Sequence, residues 1–169
     1  MGEADLLFQL DGDADVMKYI TLGIPRTMDE VIEKSMPRVL QSYQDKSDFG
    51  IFAAYLINSD EYIGWFQFEK DKEFEDSIEI GWRLKKQYWR NGYATEVAIV
   101  LCELGIKMGK TIVARAMIEN LASIRVMEKA GLKFEKEFWG DYDPHSGSPD
   151  VLYKSCLLYT SPSPRDVVP

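Results

Sequence analysis

Three short runs rich in β-branched and aromatic residues, FGIFAAYLI (49–57), YIGWFQFE (62–69) and SIEIGWRL (77–84), follow one another with only the turn-like NSDE and the charged KDKEFED between them. This pattern predicts an antiparallel meander. The period then changes: from Gly92 onward, Ala94, Val97, Ala98, Leu101, Leu104, Gly105 and Met108 recur at the spacing of one helical face, with Gly109 as the stop. A strand over 111–118 (TIVARAMI) leads into a short helix between Asn120 as N-cap and Gly131 as C-terminal stop. LKFEKEFW and DVLYKS follow as two more strands around the loop GDYDPHSGSP. No segment repeats at a fixed period.

A chain of 169 residues with this pattern reads as one domain, large enough to bury a core around a single sheet. Upstream, residues 4–20 predict one or two short helices broken at DGD. Thr27 and Glu30 form a capping box for a helix carrying Val31, Ile32, Val39 and Leu40, which Pro37 must kink or split. The text opens directly on helix-like sequence, so Met1 is expected to be an internal methionine. Cys156 to Asp166 (CLLYTSPSPRD) resemble the translation of a transposase-type sequencing adapter; residues 1–155 are therefore expected to form the domain and 156–169 a non-native tail.

The formal charge of −8 argues against nucleic-acid binding and suits a cationic partner. No apolar run approaches the roughly 18 residues of a membrane span. Cys102 and Cys156, with no secretory signal, give no disulfide framework. The expectation is a soluble cytoplasmic protein with no nucleic-acid or membrane partner.

The turn into the middle helix, QYWRNGYATE (87–96), sets the small residues Gly92 and Ala94 at a helix N-terminus, where unpaired N–H groups and the macrodipole attract anions. Arg83, Lys85, Lys86 and Arg90 gather over residues 83–90 with no acid among them, a local reversal of charge. Two readings stand at this point. Either Asn91-Gly92 simply turns the chain and the basic residues form a solvated face, or the amides and cations receive a phosphate-bearing ligand. No G-x-G-x-x-G is present, and GIKMGKT (105–111) is one residue short of a Walker A loop and lies between helix and strand.

IEIGWRLKKQYWRNGYATEV and, about thirty residues later, ENLASIRVMEKAGLKF resemble the GNAT superfamily of acetyltransferases, particularly its RimJ/RimL-type branch. With DADVMKYI and DVLYKS the likeness extends over roughly residues 4–155. The resemblance implies an α+β, three-layer α/β/α fold on a mixed, mostly antiparallel sheet, its first strand missing from this text. It also implies acetyl-coenzyme A (acetyl-CoA) as co-substrate, with no metal. In such proteins the pyrophosphate and pantetheine lie against the first motif, between two splayed strands. The family pattern Q/R-x-x-G-x-G/A falls on Trp89, Arg90, Asn91, Gly92, Tyr93 and Ala94, followed by Thr95. Trp89 replaces the usual Gln or Arg, and Arg90 stands where the branch often has glycine, able to block phosphate or to grip it. Trp82, Arg83 and Leu84 match strand positions whose backbone pairs with the pantetheine arm. Asn120 matches an asparagine that contacts the cofactor, and Ser123 a serine near the thioester sulfur.

Acetyl transfer to an amine needs a neutral nucleophile, a polarised carbonyl and a thiolate that can be protonated on leaving. Deprotonating an α-amine at pH 7 costs about 1.4 kcal/mol, a lysine-like amine about 4.6 kcal/mol. Glu79 is the candidate base: alternation in SIEIG sends Ile78 and Ile80 to one face and Glu79 with Gly81 to the other, and it resembles a strand glutamate that serves as base in several relatives. An ordinary solvated strand residue is the competing reading, and Glu119 is a weaker second choice. Many relatives place a tyrosine acid where Met127 stands; Met127 cannot donate a proton, which leaves Ser123 or water. His145, the only histidine, gives little support to a triad or a zinc site. Trp65, Phe66, Phe68 and Trp82 are expected in the core, and Cys102 in packing.

The expected function is transfer of acetyl from acetyl-CoA to a primary amine by direct attack in a ternary complex, in a monomer or homodimer. A protein N-terminal α-amine is favoured as acceptor, then a polyamine or aminoglycoside-like small molecule, either cation accommodated by acid-rich text such as DKEFED. A non-catalytic acyl-CoA-binding module is the alternative from another class.

Overall fold

The computed structural model describes residues 2–43, 48–139 and 147–156. The loop residues 140–146, with His145, and the tail beyond Cys156 lie outside the described residues. The sheet order is β1-β2-β3-β4-β6-β5, built from β1 (Gly50–Tyr55), β2 (Tyr62–Lys70), β3 (Ser77–Leu84), β4 (Thr111–Met117), β5 (Leu132–Phe138) and β6 (Asp150–Ser155). All neighbours pair antiparallel except β3 and β4, which run parallel. The expected meander is β1-β2-β3, and the α+β class with helices on both faces of a mixed sheet is as expected.

The alternation of β3 sorts the two faces. Ile78 and Ile80 join Phe68, Ile112 and Ala114 beneath α4 (Tyr93–Lys107) and α5 (Leu121–Lys129), which contribute Ala98, Cys102 and Met127 to the largest core cluster. Cys102 is buried there, and burial pushes its thiol up to about 11, as a packing residue requires; Cys156 is exposed and both cysteines are free. The opposite face carries α1 (Glu3–Asp11), whose Leu10 packs with Val16, Tyr62 and Trp65. Tyr62 reaches that side because β2 holds one extra residue between Tyr62 and Gly64 opposite β1, and such a bulge re-aims the side chains around it.

The capping box forms as expected: the Thr27 hydroxyl accepts from the Glu30 amide at 3.3 Å, and the Glu30 carboxylate accepts from the Thr27 amide at 3.0 Å. Pro37 has no N–H and its ring crowds the preceding turn. The helix answers by dividing into α2 (Met28–Glu30), a π-turn (Val31–Ser35) and α3 (Met36–Ser42), with the Met36 amide bonding back five residues to the Val31 carbonyl. Among the described residues no helix is long and apolar enough to cross a membrane.

Candidate functional site

β3 and β4 touch over only three register pairs, Ser77↔Thr111, Ile78↔Ile112 and Glu79↔Val113, and then diverge. β4 continues along β6, while β3 continues along β2 to Leu84. Lys85 donates its amide to the Ile63 carbonyl, so by strand alternation Arg83 and Gly81 also direct their backbone groups at β2. Trp82 and Leu84 therefore present theirs to the opening. Of these, the Leu84 carbonyl is taken by the Trp89 indole N–H at 2.8 Å. A glycine makes this edge possible: a Cβ on Gly64, at φ +148°, would lie 2.1 Å from the Arg83 carbonyl oxygen.

α4 begins directly above the divergence. Gly92 adopts φ +86°, a left-handed conformation that glycine takes without strain. A Cβ there would meet nothing within 4 Å, so within the protein itself backbone angle, rather than room, demands the glycine. Arg90 also sits at positive φ, +63°, which accounts for the glycine that the resemblance places at this position. Among the described residues, no backbone amide from Arg90 to Thr95 has an acceptor; Glu96 is the first to bond back, to the Gly92 carbonyl. The loop thus presents a cluster of bare N–H groups at the positive end of a 15-residue helix.

One cavity of about 790 Å³ runs from this loop through the sheet. Trp82, Arg83, Leu84, Trp89, Arg90, Gly92, Tyr93, Ala94, Thr95, Asn120 and Ser123 line it, and so does Glu79. Asn91 does not: its side-chain amide turns back to the Trp89 carbonyl at 3.1 Å. Glu119 also lies off the cavity, accepting from the Ser148 hydroxyl. Asn120 caps α5, its side-chain oxygen accepting from the Ser123 amide at 3.2 Å, which leaves the Nδ2 hydrogens uncommitted among the described residues. Met127 is fully buried beside the cavity. Phe66 and Phe68 are core, whereas Trp65 and Trp82 are half-buried and line the cavity, so the four aromatics divide by role.

Sequence reasoning located Glu79 but missed what holds it. Its Oε1 accepts from Arg115 at 3.0 Å and its Oε2 from the Gln67 amide at 3.1 Å. Arg115 also bonds Asp71, whose side chain is buried, at 2.5 Å, and Glu73 at 3.1 Å. Burial opposes the charge on Arg115, but the Asp71 and Glu79 carboxylates overcome it and lift the guanidinium above its ordinary value. Burial likewise works to raise Asp71, yet the Arg115 bond and the Phe74 and Glu73 amides hold its carboxyl below the usual aspartate range. The visible signal was a charge at Arg115 inside the apolar run TIVARAMI. Asp71, Glu73 and Asp76 are thus occupied with Arg115, Lys136 and Lys110, so three acids of DKEFED are not open to a cationic acceptor as expected.

The basic cluster is also largely spent. Arg83 turns to buried Asp11, which accepts as well from Arg26 and Ser35, and the Arg83 guanidinium lies over the Trp65 ring. Lys86 pairs with Asp15 at 2.5 Å, and Lys85 bonds Gln9 at 3.1 Å. Only Arg90 of the four is without a partner among the described residues. The first three tie α1 and the residues after it to β3. Asp11 had no flag in the sequence beyond its place in the helix-breaking DGD. Among the described residues no group of three or more His, Cys, Asp and Glu is arranged to hold a metal ion.

Comparison with known proteins gives a consistent assignment. The family described as Acetyltransferase (GNAT) domain matches residues 2–133. The chain is 29% identical over 151 residues to the FsC-acetyl coenzyme A-N(2)-transacetylase of Aspergillus fumigatus, covering 82% of this chain and 62% of that protein. The chain thus spans less than two thirds of this relative's length. It is 30% identical over 148 residues to YnaD of Bacillus subtilis, described as an uncharacterized N-acetyltransferase, covering 80% and 82%. The crystal structure of a GNAT-family acetyltransferase from Bacillus anthracis superimposes with a TM-score of 0.70 at 28% identity, covering 90% of this chain and 87% of that one.

Proposed function

The chain belongs to the GNAT acetyltransferase family and is an N-acetyltransferase that uses acetyl-CoA; from that premise we propose that its acceptor is a protein N-terminal α-amine, acetylated by direct attack in a ternary complex. The observation that carries this is the engagement of Glu79. Both its oxygens already accept from Arg115 and Gln67, leaving lone pairs for a bridging water more readily than for direct approach of an ammonium group. A water-mediated carboxylate is adequate for the deficit of about 1.4 kcal/mol of an α-amine and a poor match to the 4.6 or so of a lysine-like amine.

The residues fit the co-substrate on three counts: bare amides at the head of α4, an open strand edge at Trp82 and Leu84, and an uncommitted Asn120 amide. When bound, acetyl-CoA supplies the acetyl thioester. The amides of residues 90–95 hold the pyrophosphate, with Arg90 beside them. The free backbone groups of Trp82 and the Leu84 amide align the pantetheine arm as an added strand would. Arg83 acts from the far side, through its backbone pairing with β2 and its anchor on Asp11. Trp89, Tyr93, Ala94 and Thr95 shape the turn, and Asn91 steadies it by bonding Trp89. Asn120 donates through Nδ2, Glu79 takes the amine proton through water, and Ser123 hydrogen-bonds the departing sulfur, a task Met127 cannot perform.

We also propose that the chain lies in the RimJ/RimL-type branch, that residues 1–155 are its domain and 156–169 a foreign tail, and that it works in the cytoplasm as a monomer or homodimer. A small-molecule amine, polyamine or aminoglycoside-like, is the second reading. Thiol release measured on a panel of N-terminal peptides, polyamines and aminoglycosides, with mass spectrometry for the acetylated product, separates the readings. Turnover on peptides with an unmodified N-terminus, lost when it is blocked, is the expected result. Turnover on small amines alone would replace this reading, and coenzyme A binding without turnover on any acceptor would leave a binding module.

A further inference from the structure

On the face of the sheet that carries Glu79, one polar side chain has a partner for only half of its groups. Gln67 on β2 stands directly across from Gly81 on β3, and Glu79 lies two residues from Gly81 on the same face. Because Gly81 has no side chain, Gln67 can lie over it and bring its amide to the Glu79 Oε2 at 3.1 Å. That bond settles which way the amide faces. A carboxylate offers acceptors only, so the NH2 group turns to Glu79 and the carbonyl oxygen turns away from it. Gln67 Oε1 comes to rest over Gly81, 3.2 Å from where a Cβ on that residue would be. It accepts from no donor among the described residues, and Gln67, Glu79 and Gly81 all line the cavity. The half-buried Gln67 thus offers the cavity a free oxygen directly beside the candidate base.

Resting on the reading of this cavity as the amine site with Glu79 as base, we propose that Gln67 Oε1 binds the one hydrogen that stays on the substrate nitrogen throughout the reaction, and so selects primary over secondary amines. A primary ammonium group carries three N–H bonds. One proton passes through water to Glu79, which frees the lone pair. The lone pair forms the N–C bond to the acetyl carbon, and when the tetrahedral adduct collapses the C–S electron pair leaves with the sulfur. A second proton leaves the nitrogen and the thiolate takes up one proton, so the charges balance. The third hydrogen remains as the N–H of the product amide. A carboxamide oxygen suits that hydrogen, because it accepts the bond without taking the proton. Holding it fixes one N–H and aims the lone pair at the acetyl group. A secondary ammonium group has only two N–H bonds and loses both, which leaves Gln67 Oε1 without a donor as the amide forms. An N-terminal proline is such an amine.

The test is kcat/KM by thiol release on two matched pairs of amines. One is a peptide with N-terminal Ala against the same peptide with N-methyl-Ala; the other is 1,3-diaminopropane against its N,N′-dimethyl derivative. Wild type is expected to prefer the primary member of a pair it turns over by about 10-fold, and Q67M to shrink that preference by about 3- to 10-fold, one hydrogen bond's worth. Loss of the Gln67 donor to Glu79 acts on both members alike and cancels in the ratio, as does any merely structural effect. Gly81→Ala, at a residue outside the positive-φ set, places a methyl against Oε1 and should shrink the preference in the same direction. E79Q should slow both members and leave the preference standing. A wild type indifferent to the methyl group, or a preference that both Q67M and G81A keep in full, overturns the proposal and leaves Glu79 as base. An E79Q variant as fast as wild type, with the preference still following Gln67, overturns the Glu79 reading alone. If wild type turns over neither primary amine, the amine-site reading and the proposal fall together.

Discussion

Replacing Arg115 by Met tests whether the closed end of the strand divergence depends on its ion pair. The Asp71 side chain is 1% exposed and accepts from Arg115 at 2.5 Å, from the Phe74 amide at 2.7 Å and from the Glu73 amide at 2.9 Å. Breaking a buried pair by removing one partner costs about 3–5 kcal/mol. Because both amides stay on the other carboxylate oxygen, about 3 kcal/mol is expected at pH 7. With a urea m-value near 2 kcal/mol/M, the midpoint should fall by about 1.5 M. The deficit should also depend on pH. In wild type the folded carboxyl lies below its unfolded value of 3.8, so its contribution is present above that value and fades as pH falls through the lower folded one. In the variant burial acts with less opposition, the folded carboxyl titrates higher, and protonation relieves the penalty as acid is added. The wild type–variant difference should therefore shrink between pH 7 and pH 3.5, and coenzyme A affinity at pH 7 should drop because β4 is no longer tied to the β2–β3 hairpin. A midpoint shift worth under about 1 kcal/mol at pH 7, or one undiminished at pH 3.5, would refute the reasoning.

Other positions give narrower tests. Gly64→Ala must move the Arg83–Leu84 backbone to relieve a 2.1 Å contact, and is expected to cost about 2–3 kcal/mol in thermal or urea melts and to weaken coenzyme A binding. Gly92→Ala adds a side chain into open space but strains φ +86° by about 1–2 kcal/mol, so its stability loss should be smaller than that of Gly64→Ala while its loss of cofactor affinity is comparable. Glu79→Gln should lower kcat on lysine-like amines more than on α-amines; equal rates for wild type and variant on both would remove Glu79 from the mechanism.

Legibility in the sequence tracks the range of the forces involved. The six strands and the helices α1, α4 and α5 were visible in the sequence, and the caps at Thr27, Asn120, Gly109 and Gly131 bounded helices to within one or two residues, whereas the short 3₁₀ turn Lys86–Tyr88 was not visible and residues 13–23 form turns instead of a second helix after DGD. The π-turn ahead of Pro37 was readable only as a disruption, since which way a helix yields to a missing N–H depends on what packs against it. The parallel contact of β3 with β4 was not legible in the periods themselves. It joins segments more than thirty residues apart and rests on three register pairs, and its placement between the strands came from family resemblance.

The same distinction explains the site. Glu79 could be set on a face by counting, because alternation is local. Its partner could not, since Arg115 reaches Glu79 only through the Glu79↔Val113 register, which puts Val113, Arg115 and Met117 on the Glu79 face. The run Arg83-Leu84-Lys85-Lys86 shows the converse error. Contiguous charges in sequence read as one patch, but a strand and the turn after it point them in different directions, toward Asp11, Gln9 and Asp15 some seventy residues upstream. A cation free to meet a ligand is one whose neighbours in space, rather than in sequence, leave it unpaired.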